Sequence, residues 1–162
     1  MRAFLFAALV ALASPALAQD ATFAVRLLAP ETALAAAQAA LRKCRDSGWQ
    51  AAVAVVDRSG VVQVLLRDRY AGAHTPRTAA GKAWTAASFR TSTTELVRIS
   101  EPGQPQSGLR HLPRTVLLGG GLLIEAQGSI LGAIGVSGAP GGAADDACAQ
   151  AGIDAIREKI EF

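Results

Sequence analysis

"AAVAVVDRSGVVQVLLR", residues Ala51–Arg67, is the segment on which the predicted architecture rests. Two runs rich in valine flank the four residues Asp57-Arg58-Ser59-Gly60. Aspartate, serine and glycine favour tight turns, whereas β-branched residues favour strands. The segment therefore predicts an antiparallel hairpin in which Ala51–Val56 pairs with Val61–Arg67.

Helical patterns lie on both sides of the hairpin. Before it, apolar residues recur at helical spacing and are followed by Gly48 as a stop signal; they are Leu34, Ala37, Leu41 and Cys44. Near the end of the chain, Asp145 and Asp146 suit the first turn of a helix that carries Cys148. The order of helix, hairpin, helices, strands and helix predicts an α+β fold, with an antiparallel sheet against which helices pack.

The first eighteen residues are typical of a cleaved export signal. Residues 1–18 contain Arg2, an apolar run too short to span a bilayer, and small residues at a cleavage site. Residues 19–162 would then form one domain that is periplasmic or secreted, without stable membrane insertion. Its formal charge of about +2 gives no argument for nucleic acid as a partner.

The two cysteines, Cys44 and Cys148, are predicted to lie on buried helix faces. In an exported protein such a pair favours a disulfide, which can form if the first and last helices lie side by side. The alternative is a pair of buried free thiols.

"HTPRTAAGKAWTAASF", His74–Phe89, predicts a further helix, with Thr75 as its cap and Pro76 in its first turn. A polar face of this helix has helical spacing and consists of Thr78, Lys82, Thr85 and Phe89. Periodicity alone favours a solvated face. Several neighbours could instead form an apolar surface rimmed by cations; they are Trp84, Tyr70, Arg67 and Arg77.

Several motifs, in this order, resemble the GlcG/HbpS family of haem-binding-protein-like domains, which also occurs as the C-terminal domain of PduO-type cobalamin adenosyltransferases. They are "AVAVVDRSG", Arg67, "KAWTAASF", "GGGLLI", "GSILGAIGVSGA" and the segment 145–152. The resemblance covers nearly all of residues 19–162. It implies a five-stranded antiparallel sheet flanked by helices, similar to the profilin and PAS class, and assembly into homo-oligomers.

The resemblance also implies haem as a non-covalent cofactor. In this interpretation His74 is the axial ligand of the haem iron, and the basic residues Arg67, Arg77 or Lys82 pair with the propionates. Tyr70 and Trp84 would pack on the macrocycle. His111, in a loop rich in proline and glycine, is the weaker candidate for the iron.

Two other interpretations remain open at this point. The protein could be a binding protein or an enzyme for a small organic acid, whose carboxylate would be held by Lys82 with the hydroxyls of Thr78 and Thr85. It could also be a purely structural partner subunit.

Overall fold

A computed structural model describes residues 21–161, so the predicted export signal lies outside the described residues. The helices are α1 (Pro30–Asp46), α2 (Thr75–Phe89), α3 (Thr93–Ile99), α4 (Gly142–Asp154) and α5 (Arg157–Ile160), with a 3-10 helix at Ser107–His111. The strands are β1 (Ala52–Asp57), β2 (Val62–Arg67), β3 (Gly121–Ala126) and β4 (Ser129–Ser137).

The four strands form one antiparallel sheet in the order β2-β1-β4-β3. The predicted hairpin is confirmed, because β1 pairs with β2 and places Val53 opposite Leu66. On one face of the sheet, α1 and α4 cover a core that includes Val53 and Val55. On the other face, α2 covers Ala54 and Val56. Helices on both faces explain why β1 reads as a continuous apolar run.

The prediction of five strands is wrong for the part of the chain that the structure describes, which has four. The apolar residues 115–120 precede β3 but form no strand. The Val116 N–H donates to Thr85 Oγ1 of α2 at 3.0 Å, so a side chain takes the place of a sheet partner. This segment is therefore held against α2.

Small residues allow α2 to lie unusually close to the sheet. A Cβ built on Gly135 of β4 would be 2.1 Å from the Ala79 carbonyl oxygen and 2.6 Å from the Ala83 nitrogen. Any side chain at this position would push the helix away from the strand. The close approach brings Lys82, on the same helix, down to the level of the sheet.

The start of α2 differs from the prediction. His74 occupies the N-cap position and makes no side-chain capping bond. Thr75 lies one residue further on, and its Oγ1 donates to the Gly72 carbonyl at 2.8 Å instead of accepting from a helical N–H. Thr75 thus stabilises the preceding turn, and the prediction that it caps the helix is wrong.

The predicted disulfide is present and joins Cys44 of α1 to Cys148 of α4 across 104 residues of sequence. We expect its loss in a Cys44→Ala, Cys148→Ala double variant to lower the free energy of unfolding by about 2–5 kcal/mol, because the open chain gains conformational entropy. Urea denaturation of the two proteins measures this difference. Intact-mass analysis after alkylation without reductant checks the bond, and two alkylated thiols in exported protein would contradict it.

Candidate functional site

A cavity of about 680 Å³ opens where three connecting segments meet. We call it the His74 cleft. Its walls are the α1–β1 connection at residues 48–50, the β2–α2 connection from Tyr70 to Thr75, and residues 137–142 before and at the start of α4. Lys82 and Asp145 also line it. A cleft of this size can hold a small organic ligand or cofactor.

Lys82 is buried, with an exposed fraction of 2%. Its Nζ donates to Asp145 Oδ2 at 2.7 Å and to the Val136 carbonyl at 2.9 Å. The solvated-face alternative for this residue is therefore wrong. An ammonium group has three hydrogens, so one donor of Lys82 remains for a ligand in the cleft.

Asp145 is also buried and has an exposed fraction of 4%. Its Oδ1 accepts from the Ala139 N–H at 3.0 Å, which fixes the loop that forms one wall of the cleft. Burial raises the pKa of the Asp145 carboxyl above its ordinary value, and the hydrogen bond from Lys82 opposes that rise. A buried carboxylate is kept ionised by such a cationic partner, so the two side chains form one unit.

The neighbouring Asp146 ties further segments to α4. Its Oδ1 accepts from the Gly120 N–H at 2.7 Å, and its Oδ2 accepts from the Thr94 hydroxyl. A Cβ on Gly120 would lie 2.9 Å from Lys82 Nζ and 2.6 Å from Asp145 Cβ, so this glycine leaves room for the ion pair. Gly120 also has a φ of 114°, which favours glycine.

His74 and Tyr70 stand at the rim of the His74 cleft. Both are exposed, and Tyr70 has an exposed fraction of 79%. The imidazole lies over Gly72, because a Cβ there would be 2.9 Å from His74 Nδ1. Neither ring nitrogen bonds to another residue within 21–161, so each remains available to a ligand. The structure thus brings His74, Tyr70 and Lys82 to one cleft.

The two predicted threonines bond to other parts of the protein. Thr78 Oγ1 donates to the His74 carbonyl at 3.0 Å. Thr85 is fully buried; its Oγ1 donates to the Gly81 carbonyl at 2.7 Å and accepts from the Val116 N–H. Neither threonine lines the His74 cleft.

The remaining predicted residues lie outside the His74 cleft. Arg77 and Trp84 line a second cavity of about 460 Å³, which we call the Trp84 cleft; it is bounded by Gly60, Thr115, Val116 and Arg114. Arg67 donates through Nη2 to the Ala71 carbonyl and so braces the β2–α2 connection. The ligand roles of these residues stay predictions.

Asp145 is part of the site that the sequence does not reveal, because its position suits the start of a helix and a family motif without indicating a partner for Lys82. A usable signal exists, since a lysine on an alanine-rich helix that packs on a sheet needs a buried counter-charge. Trp49 and Gln50 were also missed, although both line the His74 cleft. Nothing in their local sequence marks them.

Within residues 21–161, no three or more His, Cys, Asp and Glu side chains form a group that could hold a metal ion. None of the helices in this part of the chain is long and apolar enough to cross a membrane.

The antiparallel sheet with helices on both faces defines the class of small α+β domains to which this chain belongs. Residues 28–154 match the HbpS-like family, described as "Haem degrading protein HbpS-like". This chain belongs to that family, and the resemblance noted from the sequence is confirmed.

Solved structures agree with this assignment. A double mutant of HbpS from Streptomyces reticuli is 36% identical with a TM-score of 0.78, over 88% of this chain and 96% of that one. The structure of a PduOC:heme complex is 31% identical with a TM-score of 0.76, over 80% of this chain and 95% of that one.

Among curated proteins, the corrinoid adenosyltransferase PduO of Citrobacter freundii is 32% identical over 103 residues, which are 62% of this chain. PduO of Salmonella typhimurium is 34% identical over the same length. The matched segment spans 31% of each PduO, so the similarity concerns less than a third of those proteins.

Proposed function

We propose that this protein is an exported haem-binding protein that holds haem, or a related tetrapyrrole, non-covalently in the His74 cleft. The observation that carries the proposal is the meeting of an unpartnered imidazole and a buried lysine in one cavity. The haem complex of a relative that is 31% identical supports the choice of ligand.

The residues of the cleft fit haem chemically. A neutral imidazole is a common axial ligand of haem iron, and His74 is exposed at the rim with both ring nitrogens free of described partners. Tyr70 and Trp49 supply aromatic surface beside it. The remaining donor of Lys82 suits a propionate. Haem would supply the redox and ligand-binding chemistry of its iron, while the chain binds and orients it.

A second candidate is binding of a small organic acid without haem. One observation favours it: two of the three N–H groups of Lys82 have partners, and the third is available to a ligand. Lys82 lines the His74 cleft together with residues 137–142. Lysine binds carboxylates through charge-assisted hydrogen bonds. Thr78 and Thr85, which already bond to main-chain carbonyls, do not support this second candidate.

Titration of the purified protein with haem tests the main proposal. We expect a saturable Soret band with a one-to-one stoichiometry. Melting temperatures with and without small carboxylates form the second arm. If haem gives no saturable band and a carboxylate still raises the melting temperature of an Arg114→Gln variant, whose change lies outside the His74 cleft, the second candidate replaces the first.

We also propose that the protein assembles into a homo-oligomer. Several large apolar side chains within residues 21–161 are exposed in the single chain, among them Phe23, Val61 and Leu118. Covering such surface favours association. Light scattering at micromolar concentration should give a mass of at least two chains, and a monomer would contradict the proposal.

A further inference from the structure

The Trp84 cleft lies beside α2 and is separate from the His74 cleft, with which it shares no lining residue. Two arginines line it, Arg77 from α2 and Arg114 from the segment before β3. No carboxylate lines it within the part of the chain that the structure describes. The cleft therefore combines two positive charges with no acidic residue in its described wall.

Neither guanidinium is neutralised by another described residue. Arg77 takes part in no hydrogen bond or ion pair within residues 21–161. Arg114 makes no such bond within these residues either; its guanidinium makes a cation–π contact, with its Cζ 4.5 Å from the centroid of the Trp84 ring. Two unpaired cations in one concavity favour an anion between them.

The backbone conformation at Arg114 indicates that this part of the cleft is held in a defined shape. Arg114 has a φ of 71°, in the left-handed region that a residue with a side chain seldom adopts. Such conformations persist where the surrounding structure imposes them, often at ligand sites. Here the neighbouring Val116 is fixed by its hydrogen bond to Thr85, and its side chain lies against Gly81 of α2.

Trp84 also lines the cleft. Its Nε1–H has no hydrogen-bond partner within residues 21–161, and an indole N–H can only donate. Gly60 of the hairpin turn packs on the same ring, since a Cβ there would be 2.6 Å from Trp84 Cδ1. The ring is thus held in place between the turn and Arg114.

We propose that the Trp84 cleft is a second ligand site, which binds an oxyanion, a carboxylate or a phosphate group, between Arg77 and Arg114. A guanidinium presents paired N–H groups that match two oxygens of such an anion. The site is distinct from the His74 cleft, with which it shares no lining residue.

The test follows by NMR the indole N–H signals of the two tryptophans of the sequence, Trp49 and Trp84. A Trp49→Phe variant assigns the signal of Trp84. The probes are inorganic phosphate and succinate, each titrated at constant ionic strength set with sodium chloride. We expect a saturable shift of the Trp84 signal, and the probe that saturates identifies the anion as a phosphate or a carboxylate.

Arginine variants inside and outside the Trp84 cleft show whether the anion binds at this site. Arg77→Gln and Arg114→Gln should each weaken binding by about fivefold or more, because each removes charge-assisted hydrogen bonds. Arg58→Gln, in the exposed hairpin turn, removes the same charge outside the cleft and should leave binding unchanged. No saturable shift with either probe, or equal weakening by Arg58→Gln, would overturn the proposal.

Discussion

Replacement of Asp145 by asparagine should lower the free energy of unfolding by about 3–5 kcal/mol, because it leaves the buried Lys82 ammonium without a counter-charge. The change keeps the size of the side chain, so lost packing does not explain the effect. Lys82 and Asp145 are 2% and 5% exposed in their side chains, and water cannot replace the lost partner easily. Urea denaturation at pH 7 measures the difference.

Two further variants isolate the charge interaction. Asp154→Asn removes an acid from the same helix α4, but its pair with Arg157 is about half exposed, so we expect a loss below about 1 kcal/mol. Lys82→Met combined with Asp145→Asn removes both charges and should be less destabilising than the two single changes together. If both Asp145→Asn and Asp154→Asn lowered the free energy of unfolding by the same amount, the buried pair would not stabilise the protein more than the exposed one.

Replacement of His74 by alanine should weaken haem binding by about tenfold or more, since losing an iron bond exceeds about 1.4 kcal/mol. The position of the Soret band should change as well, because the axial ligand sets the electronic state of the iron. His74 is exposed and makes no side-chain cap, so the variant should fold normally. Haem titration followed by absorbance gives both the affinity and the spectrum.

His111→Ala is the matched control for this experiment. His111 is the other histidine of the sequence, is exposed, and ends the 3-10 helix Ser107–His111 away from the His74 cleft. Its replacement should change neither affinity nor spectrum. If both variants bind haem as the unchanged protein does, His74 does not ligate the iron.

Local chemistry in the sequence was enough to predict the hairpin, the helices that carry Cys44 and Cys148, and the bond between these cysteines. The turn at residues 57–60 brings β1 and β2 together over a few residues, so pairing requires little beyond the turn itself. Helical spacing placed both cysteines on buried faces, and with only two cysteines the pairing has one solution. The family could also be recognised, because its motifs are continuous segments.

Which residues form the site is decided by contacts between distant parts of the chain. Lys82 and Asp145 are 63 residues apart, and no local pattern relates them. Helix α2 turns by about 100° per residue, so residues close in sequence face different neighbours. Lys82 therefore lines the His74 cleft while Arg77 and Trp84 line the other. In the same way, packing of residues 115–120 on α2 gives Val116 a side-chain partner and leaves the described sheet with four strands.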